Sequence, residues 1–304
     1  FTACTGVGLP LPSVLVTATV SPNTTIDTNT ALDYLIGRNA AAGYGDGEGI
    51  VITQTYAGNS TAALQTLNTE KLLTASAGTI LNTPIGDATG IGAVIDPMEV
   101  RPRLYGGFRR DVVYVSPTYE QELHALASLA VARGRGITVL SALEDDGAAV
   151  GATLTRSMNT LGQEGGGHRS ASSIAAGLGS TGDGGMTILH GIATSADIVA
   201  IATHLGQQTS AVVAIPMAHL LVWYRELVAA VTDEGQRSRI VFATSLPNWA
   251  GPVSGETTGP ALQTYFDRVP ATNRTPGSLR GFMTHQLLTY VSSRVPVAKS
   301  PTEF

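Results

Sequence analysis

Three hydroxyl side chains crowd into one short break: Ser116, Thr118 and Tyr119, in Ser116-Pro-Thr-Tyr119, follow a β-branched run at 112–115 and precede a helical repeat. Hydroxyls at such an elbow, backed by the free N–H groups of a helix's first turn, can hold an anion or a carboxylate. The same residues also make a helix-capping turn, and the two roles are compatible. After the next strand, Glu144-Asp-Asp-Gly147 is either a carboxylate cluster for a cation or an amine, or a set of acids favouring a helix N-terminus, with Asp146 as the N-cap. Trp249 lies in a Gly-, Pro- and Ser-rich loop expected to be exposed, where it either stacks on a ligand or braces a hinge.

Other patterns argue against familiar chemistry. The glycines of Gly43-Tyr-Gly-Asp-Gly-Glu-Gly49 follow a helix and precede a strand, the reverse of a dinucleotide fingerprint. Gly162-Gln-Glu-Gly-Gly-Gly167 lacks the Lys-Ser/Thr of a phosphate loop. The six histidines show no metal spacing: His124 and His204 fall on helices, His190 ends a strand and His168 lies in the glycine loop. Neither a Gly-x-Ser-x-Gly elbow nor a His-Glu-x-x-His helix occurs. No catalytic residue, metal site or cofactor is expected, and the chain reads as a non-enzyme.

The elements that must position these groups alternate strand and helix. Strands are expected at 14–20, 50–56, 79–81, 112–115, 137–143, 186–191, 211–215 and 239–243, with 91–95 either strand or helix. Helices are expected at 30–42, with Leu32, Leu35 and Ile36 on the apolar face, and at 61–73, 120–133, 148–161, 195–205, 217–231, 260–267 and 276–291. The Gly- and Ser-rich stretch 162–185 reads as a surface loop holding a short strand or helix. Strict βα alternation implies parallel sheets flanked by helices on both faces. Breaks at Ser116-Pro117 and Ser245-Leu-Pro247 divide the chain into two α/β lobes, 1–115 plus 246–304 and 116–245. Ligands of open α/β sheets bind beyond the carboxyl ends of the strands. A cleft between the lobes should therefore gather Ser116, Thr118, Tyr119, Glu144, Thr194, Ser245 and Trp249, faced by Tyr56 and Asn82 from the first lobe.

Composition narrows the partners. The chain has 304 residues, 13% of them charged, with 35 glycines and a formal net charge of −5, and no basic run offers a footprint for nucleic acid or anionic lipid. Cys4 is the lone cysteine, which excludes an intrachain disulfide or thiol-built zinc site within this sequence. No uninterrupted run of about 18 apolar residues appears, so any membrane attachment would come from a segment outside this sequence. The chain opens on Phe1 with no signal-peptide pattern, as a mature or trimmed fragment would. Asn23, Asn59 and Asn273 head N-glycosylation sequons, the third weakened by Pro276; chance alone also yields sequons at this frequency in Thr-rich sequence. A small molecule in the cleft and a homodimer are the candidate partners.

Asn39-Ala-Ala-Ala-Gly43, Tyr114-Val-Ser-Pro-Thr-Tyr-Glu-Gln-Glu-Leu123 and the stretch 137–147 resemble the type I periplasmic-binding-protein fold. More narrowly, Val241-Phe-Ala-Thr-Ser-Leu-Pro-Asn-Trp249 and Thr275-Pro-Gly-Ser-Leu-Arg-Gly-Phe-Met-Thr284, supported by 111–129, resemble the extracellular domain of trypanosomatid receptor-type adenylate cyclases and their cyclase-free relatives. The resemblance implies a ligand-sensing surface-receptor ectodomain, extracellular and at the cell surface or flagellar membrane, with any cyclase activity outside this chain. A glycan at Asn59 would crowd a small-molecule cleft, and the glycine loop at 162 departs from a typical second lobe. A bacterial-type solute-binding protein of an ABC uptake system is the alternative, and a Rossmann-like enzyme a third, disfavoured by the missing fingerprint.

Overall fold

A computed structural model describes residues 15–20, 25–42, 52–56, 75–77, 80–81, 93–96, 98–99, 112–181, 184–255 and 257–294. The strands β1 (Leu15–Val20), β2 (Ile52–Tyr56), β3 (Ala75–Ala77), β5 (Ala93–Ile95) and β7 (Val112–Val113) form one parallel sheet in the order β2-β1-β3-β5-β7. A two-stranded parallel ribbon joins β4 (Ile80–Leu81) to β6 (Met98–Glu99). The strands β8 (Ile137–Ser141), β9 (Gly167–Ser170), β10 (Met186–His190), β11 (Val212–Pro216) and β12 (Ile240–Ala243) form a second parallel sheet in the order β9-β8-β10-β11-β12. Ranked by sequence, both sheets run second, first, third, fourth, fifth. That is a doubly wound order, and it puts a topological switch point between β1 and β3 and another between β8 and β10.

The helices are α1 (Thr25–Ala42), α2 (Tyr119–Ala132), α3 (Glu144–Thr160), α4 (Ile174–Leu178), α5 (Ser195–Gln207), α6 (Met217–Ala230), α7 (Glu234–Arg237), α8 (Pro260–Arg268) and α9 (Pro276–Arg294). They cover the second sheet on both faces. Leu123, Leu126, Val150 and Leu154 from α2 and α3 pack with Val139 and Ile188 on one face. On the other, Ile198, Ile201, Leu220 and Trp223 from α5 and α6 pack with Leu140, Leu189 and Val213. Every residue of β10 and β11 is buried, as a parallel strand between two helix layers requires.

Expected elements differ from observed ones at informative places. Of the expected apolar face, Leu32 is 54% exposed, whereas Leu35 and Ile36 are half-buried and Ile36 packs beside Tyr265 and Phe282; the residues α1 buries fully are Thr30, Asp33, Tyr34, Gly37, Arg38 and Ala41, because neighbouring helices meet it with polar and small residues. Helix α3 begins four residues early, at Glu144. Its N-cap is Leu143, without a side-chain bond, so Asp146 is not the N-cap; residues 144–146 form the first turn of the helix. The short strands Ala75–Ala77 and Met98–Glu99 carry too little pattern to be read from sequence. The segment 91–95 resolves as strand at its end, and 162–185 holds both a strand and a helix. The expected helix at 61–73, the glycine run 43–49, Cys4, Asn23, Asn59 and Asn82 lie outside the described residues.

Helices α1 and α9 approach each other closely enough for their backbones to touch. A Cβ on Gly37 would fall 1.6 Å from the Ser278 carbonyl oxygen, and one on Gly281 would fall 2.0 Å from that of Tyr34, so only glycine admits the contact at either position. Beside it, Ala41 packs with Tyr265, Phe266, Val269, Leu279 and Phe282, which seats residues 260–294 on α1. Arg268 then donates to the Ala40 and Ala41 carbonyls, satisfying the open end of α1 from α8.

Candidate functional site

The crossing from the first sheet to the second runs through Ser116. Its hydroxyl donates to Asp96 Oδ1 at 3.3 Å. Asp96 follows β5 at the carboxyl end of the first sheet, with φ of +50° and 1% exposure. Arg280 of α9 forks onto this carboxylate, Nε to Oδ2 at 2.6 Å and Nη2 to Oδ1 at 2.6 Å, and the Thr284 hydroxyl donates to Oδ2 at 2.9 Å. Burial works against the Arg280 charge, but the facing carboxylate more than offsets it and leaves the guanidinium above its ordinary pKa. Tyr34 lies against the same group, its hydroxyl pushed up by burial and by the Asp96 charge.

These partners explain the Thr275–Thr284 motif residue by residue. Thr275 and Ser278 exchange side-chain-to-backbone bonds, with Ser278 N–H on Thr275 Oγ1 at 3.1 Å and Thr275 N–H on Ser278 Oγ at 2.9 Å. Pro276 opens the helix where its missing N–H is harmless. Gly277 admits Asp33, Gly281 admits Tyr34, and Arg280 with Thr284 holds Asp96. Sequence reasoning missed Asp96, Arg280 and Tyr34 as members of one cluster. The available signal was an Arg at the fifth helical position of an otherwise small and apolar helix start.

At the carboxyl end of the second sheet, Tyr119 is 5% exposed and its hydroxyl lies 3.2 Å from His190 Nδ1, the last residue of β10. The His190 ring meets His219 edge-on, with centroids 6.1 Å apart. His219 Nε2 accepts from Gly191 N–H at 3.0 Å, which fixes that nitrogen unprotonated, and burial lowers the imidazole to about 4. Glu122, one turn beyond Tyr119, accepts Met217 N–H at 2.9 Å. Pro216 supplies no side-chain cap to α6, so Glu122 caps that helix from α2. Burial pushes the Glu122 carboxyl up to about 7, against the favourable Met217 N–H and Arg280 charge.

The expected site residues divide in this setting. Ser116 and Tyr119 both point to carboxyl-end residues, Asp96 and His190 respectively. Thr118 is the N-cap of α2 in a full capping box with Gln121, and Thr194 is the N-cap of α5 in another with Asp197. Their hydroxyls face their own helices while staying exposed. Glu144 opens α3, and Tyr56 ends β2 at its carboxyl end. Ser245 is exposed, two residues beyond the end of β12. Trp249 is half-buried rather than exposed: it packs edge-on against Tyr224 and tilted against Phe242, and it touches both the second-sheet core and the α1–α8–α9 cluster. Asn273 is half-buried in a short 3-10 turn. Among the described residues no group of three or more His, Cys, Asp or Glu side chains could hold a metal ion, and no helix is long and apolar enough to cross a membrane.

Comparison with known proteins gives this architecture relatives. The family model for the adenylate cyclase, periplasmic binding protein-like domain matches residues 13–302. A receptor-type adenylate cyclase of Trypanosoma brucei brucei, GRESAG 4.3, is 29% identical over 238 residues, which cover 74% of this chain and 18% of that protein. The chain therefore spans about a fifth of such a relative's length. Among solved structures, an extracellular ligand-binding receptor from Verminephrobacter eiseniae superposes with a TM-score of 0.66 at 14% identity, covering 92% of this chain and 84% of that one. A solute-binding protein of an R. palustris ABC transporter, solved with 4-hydroxybenzoate, gives 0.65 at 11% identity over 95% and 83%. The shared fold is that of the type I periplasmic binding proteins, two parallel sheets flanked by helices.

Proposed function

We propose that this chain, which belongs to the family of adenylate cyclase periplasmic-binding-protein-like domains, is the extracellular ligand-sensing part of a receptor-type cyclase-like membrane protein. Its two lobes are 1–115 plus 246–304 and 116–245, hinged at Ser116 and Ser245. The ligand is a small molecule held between them by Ser116, Thr118, Tyr119, Glu144, Thr194, Ser245 and Trp249, with Tyr56 and Asn82 opposite. The observation that carries the reading is the repeated strand order. Each sheet has its own switch point, and Ser116 and Tyr119 bond to residues at the carboxyl end of one sheet and of the other. The domain itself turns over no substrate; cyclase chemistry belongs to another part of the receptor. Its place is the cell surface, flagellar membrane included, with Asn23, Asn59 and Asn273 glycosylated and a homodimer as the working assembly.

A solute-binding protein of an uptake system uses the same fold, and the solved neighbours include such proteins. Identity favours the receptor: 29% to a cyclase against 11% to a solute-binding protein. The test is native mass spectrometry of the chain produced in a eukaryotic host, before and after deglycosylation. A retained small molecule, lost from Ser116→Ala/Tyr119→Phe while the circular dichroism stays unchanged, supports the cleft. Tyr119→Phe removes the hydroxyl without opening a cavity at this buried site. Retention unchanged in the double variant removes the site assignment. Absence of any glycan shifts the reading to the uptake protein.

A further inference from the structure

A helix from each sheet's own layers meets the other across the boundary between the sheets. Helix α1 connects β1 to β2 in the first sheet, and α6 connects β11 to β12 in the second. Asp33 of α1 is 5% exposed and accepts a fork from Arg225 of α6: Nε reaches its two carboxylate oxygens at 3.0 and 2.9 Å, and Nη2 also donates to Oδ1. The pair is separated by 192 residues in sequence. Alongside it Tyr34 packs on Met217 and Leu221, all three buried, with Leu246 against them. The Thr30 hydroxyl reaches the Val222 carbonyl at 3.5 Å.

The two ends of this contact differ in how they are held. Asp33 is fixed: Gly277 of α9 lies so near that a Cβ added there would fall 3.1 Å from Asp33 Cβ, and the Asp33 side chain is 7% exposed. Arg225 lies on the open side of α6, with its side chain 42% exposed, so water and salt can compete for the guanidinium but reach the carboxylate poorly. Helix α6 is meanwhile tied to its own layer by Glu122 at its N-terminus and by Trp223 Nε1 on the Ile192 carbonyl at 3.1 Å. Separating the sheets thus requires Arg225 to withdraw from Asp33 and the Tyr34–Met217–Leu221 contact to part, while each helix keeps its own anchors.

We propose that the Asp33–Arg225 fork is a latch between the two lobes, releasable from the Arg225 side, and that it sets how often the domain opens. The latch rests on the two-lobed reading above. Its test is the distance distribution between spin labels at Ala132 and Gln286, both exposed, in protein carrying Cys4→Ser. The labels report one on the second-sheet side and one on the first. A narrow distribution is expected for the unaltered latch. Arg225→Met should raise the population at longer distance by about fivefold, and Arg225→Lys, which keeps charge but loses the fork, by less. Salt at about 1 M should have a like effect on the unaltered latch and little on Arg225→Met. Should Arg225→Met not fold, the neutral pair Asp33→Asn/Arg225→Gln is read in the same way. Two populations unchanged between the unaltered protein and these variants overturn the latch and leave the lobes standing. One narrow population everywhere, including Arg225→Met/Leu221→Ser with the apolar contact also broken, overturns the two-lobed reading itself.

Discussion

The second sheet and the α1–α9 junction are both buried, yet they are held together by different physics. Around β10 and β11, apolar side chains from five helices close over two fully buried strands, and each contact is small, non-directional and replaceable. At the junction, two glycines bring backbones into contact and a charged fork, Asp96 with Arg280, is shut inside with Tyr34 and Thr284, with the half-buried Ser116 at its edge. A core of the first kind tolerates substitution by size. One of the second kind fails when any partner is removed, because what remains is a backbone clash or an unpaired buried charge.

That contrast makes the junction the fragile half, and the sharpest way to break the claim is steric. Gly37→Ala and Gly281→Ala should each cost on the order of 4 kcal/mol or more, since the added methyl meets a carbonyl oxygen that the helix cannot move. Urea unfolding measures it, and a loss below that of an ordinary core truncation would show that the helices can slide apart. Next, Arg280→Met should cost about 3–5 kcal/mol by stranding Asp96, and Asp96→Asn in the same chain should restore part of the loss.

The pH profile sharpens the comparison at Glu122, which lies between the two regions. Its carboxyl is raised from 4.5 to about 7 in the folded protein, so the folded state binds the proton more tightly than the unfolded one. Stability from this group is complete below about pH 4.5 and is lost as pH rises through about 7. His219 works in the opposite sense: lowered from 6.5 to about 4, it contributes above pH 6.5 and loses that contribution as pH falls towards 4. Glu122→Gln keeps an acceptor for Met217 N–H, so it should be near neutral at acid pH. At alkaline pH it should be more stable than the parent by about 1–3 kcal/mol. A difference independent of pH would place the Glu122 charge in water rather than under α6. The smallest effect belongs to the apolar sheet. Ile188→Val should cost only about 1 kcal/mol by thermal unfolding.

The same contrast explains what could be read without coordinates. Helices α2, α5 and α6 and the strands β8, β10, β11 and β12 were legible to within a few residues, because their periodicity reports the apolar layers they enter and residues such as Thr118 and Thr194 mark where two of the helices start; β9, exposed along most of its length, was not. Helix α1 was legible as a helix but not by face. Its buried stripe is Thr30, Asp33, Tyr34, Gly37, Arg38 and Ala41, which no hydrophobicity pattern selects. Ser116 and Tyr119 were recognisable as hydroxyls at an elbow, whereas their partners Asp96 and His190 were not. Trp249 was legible as a hinge candidate, but only the packing of Tyr224 and Phe242 shows that its ring is already engaged.

By itself the sequence determined the alternation of strand and helix and the starts of α2, α5, α6, α8 and α9, since each depends on residues within a turn or two of one another. Only the tertiary structure decided that the alternation closes into two sheets of identical strand order and that Arg280 finds Asp96 across 184 residues. Ion pairs and glycine contacts form wherever the chain returns, and that place is set by the packing of whole elements, which leaves no period in the sequence around Asp96, Gly37 or Arg280.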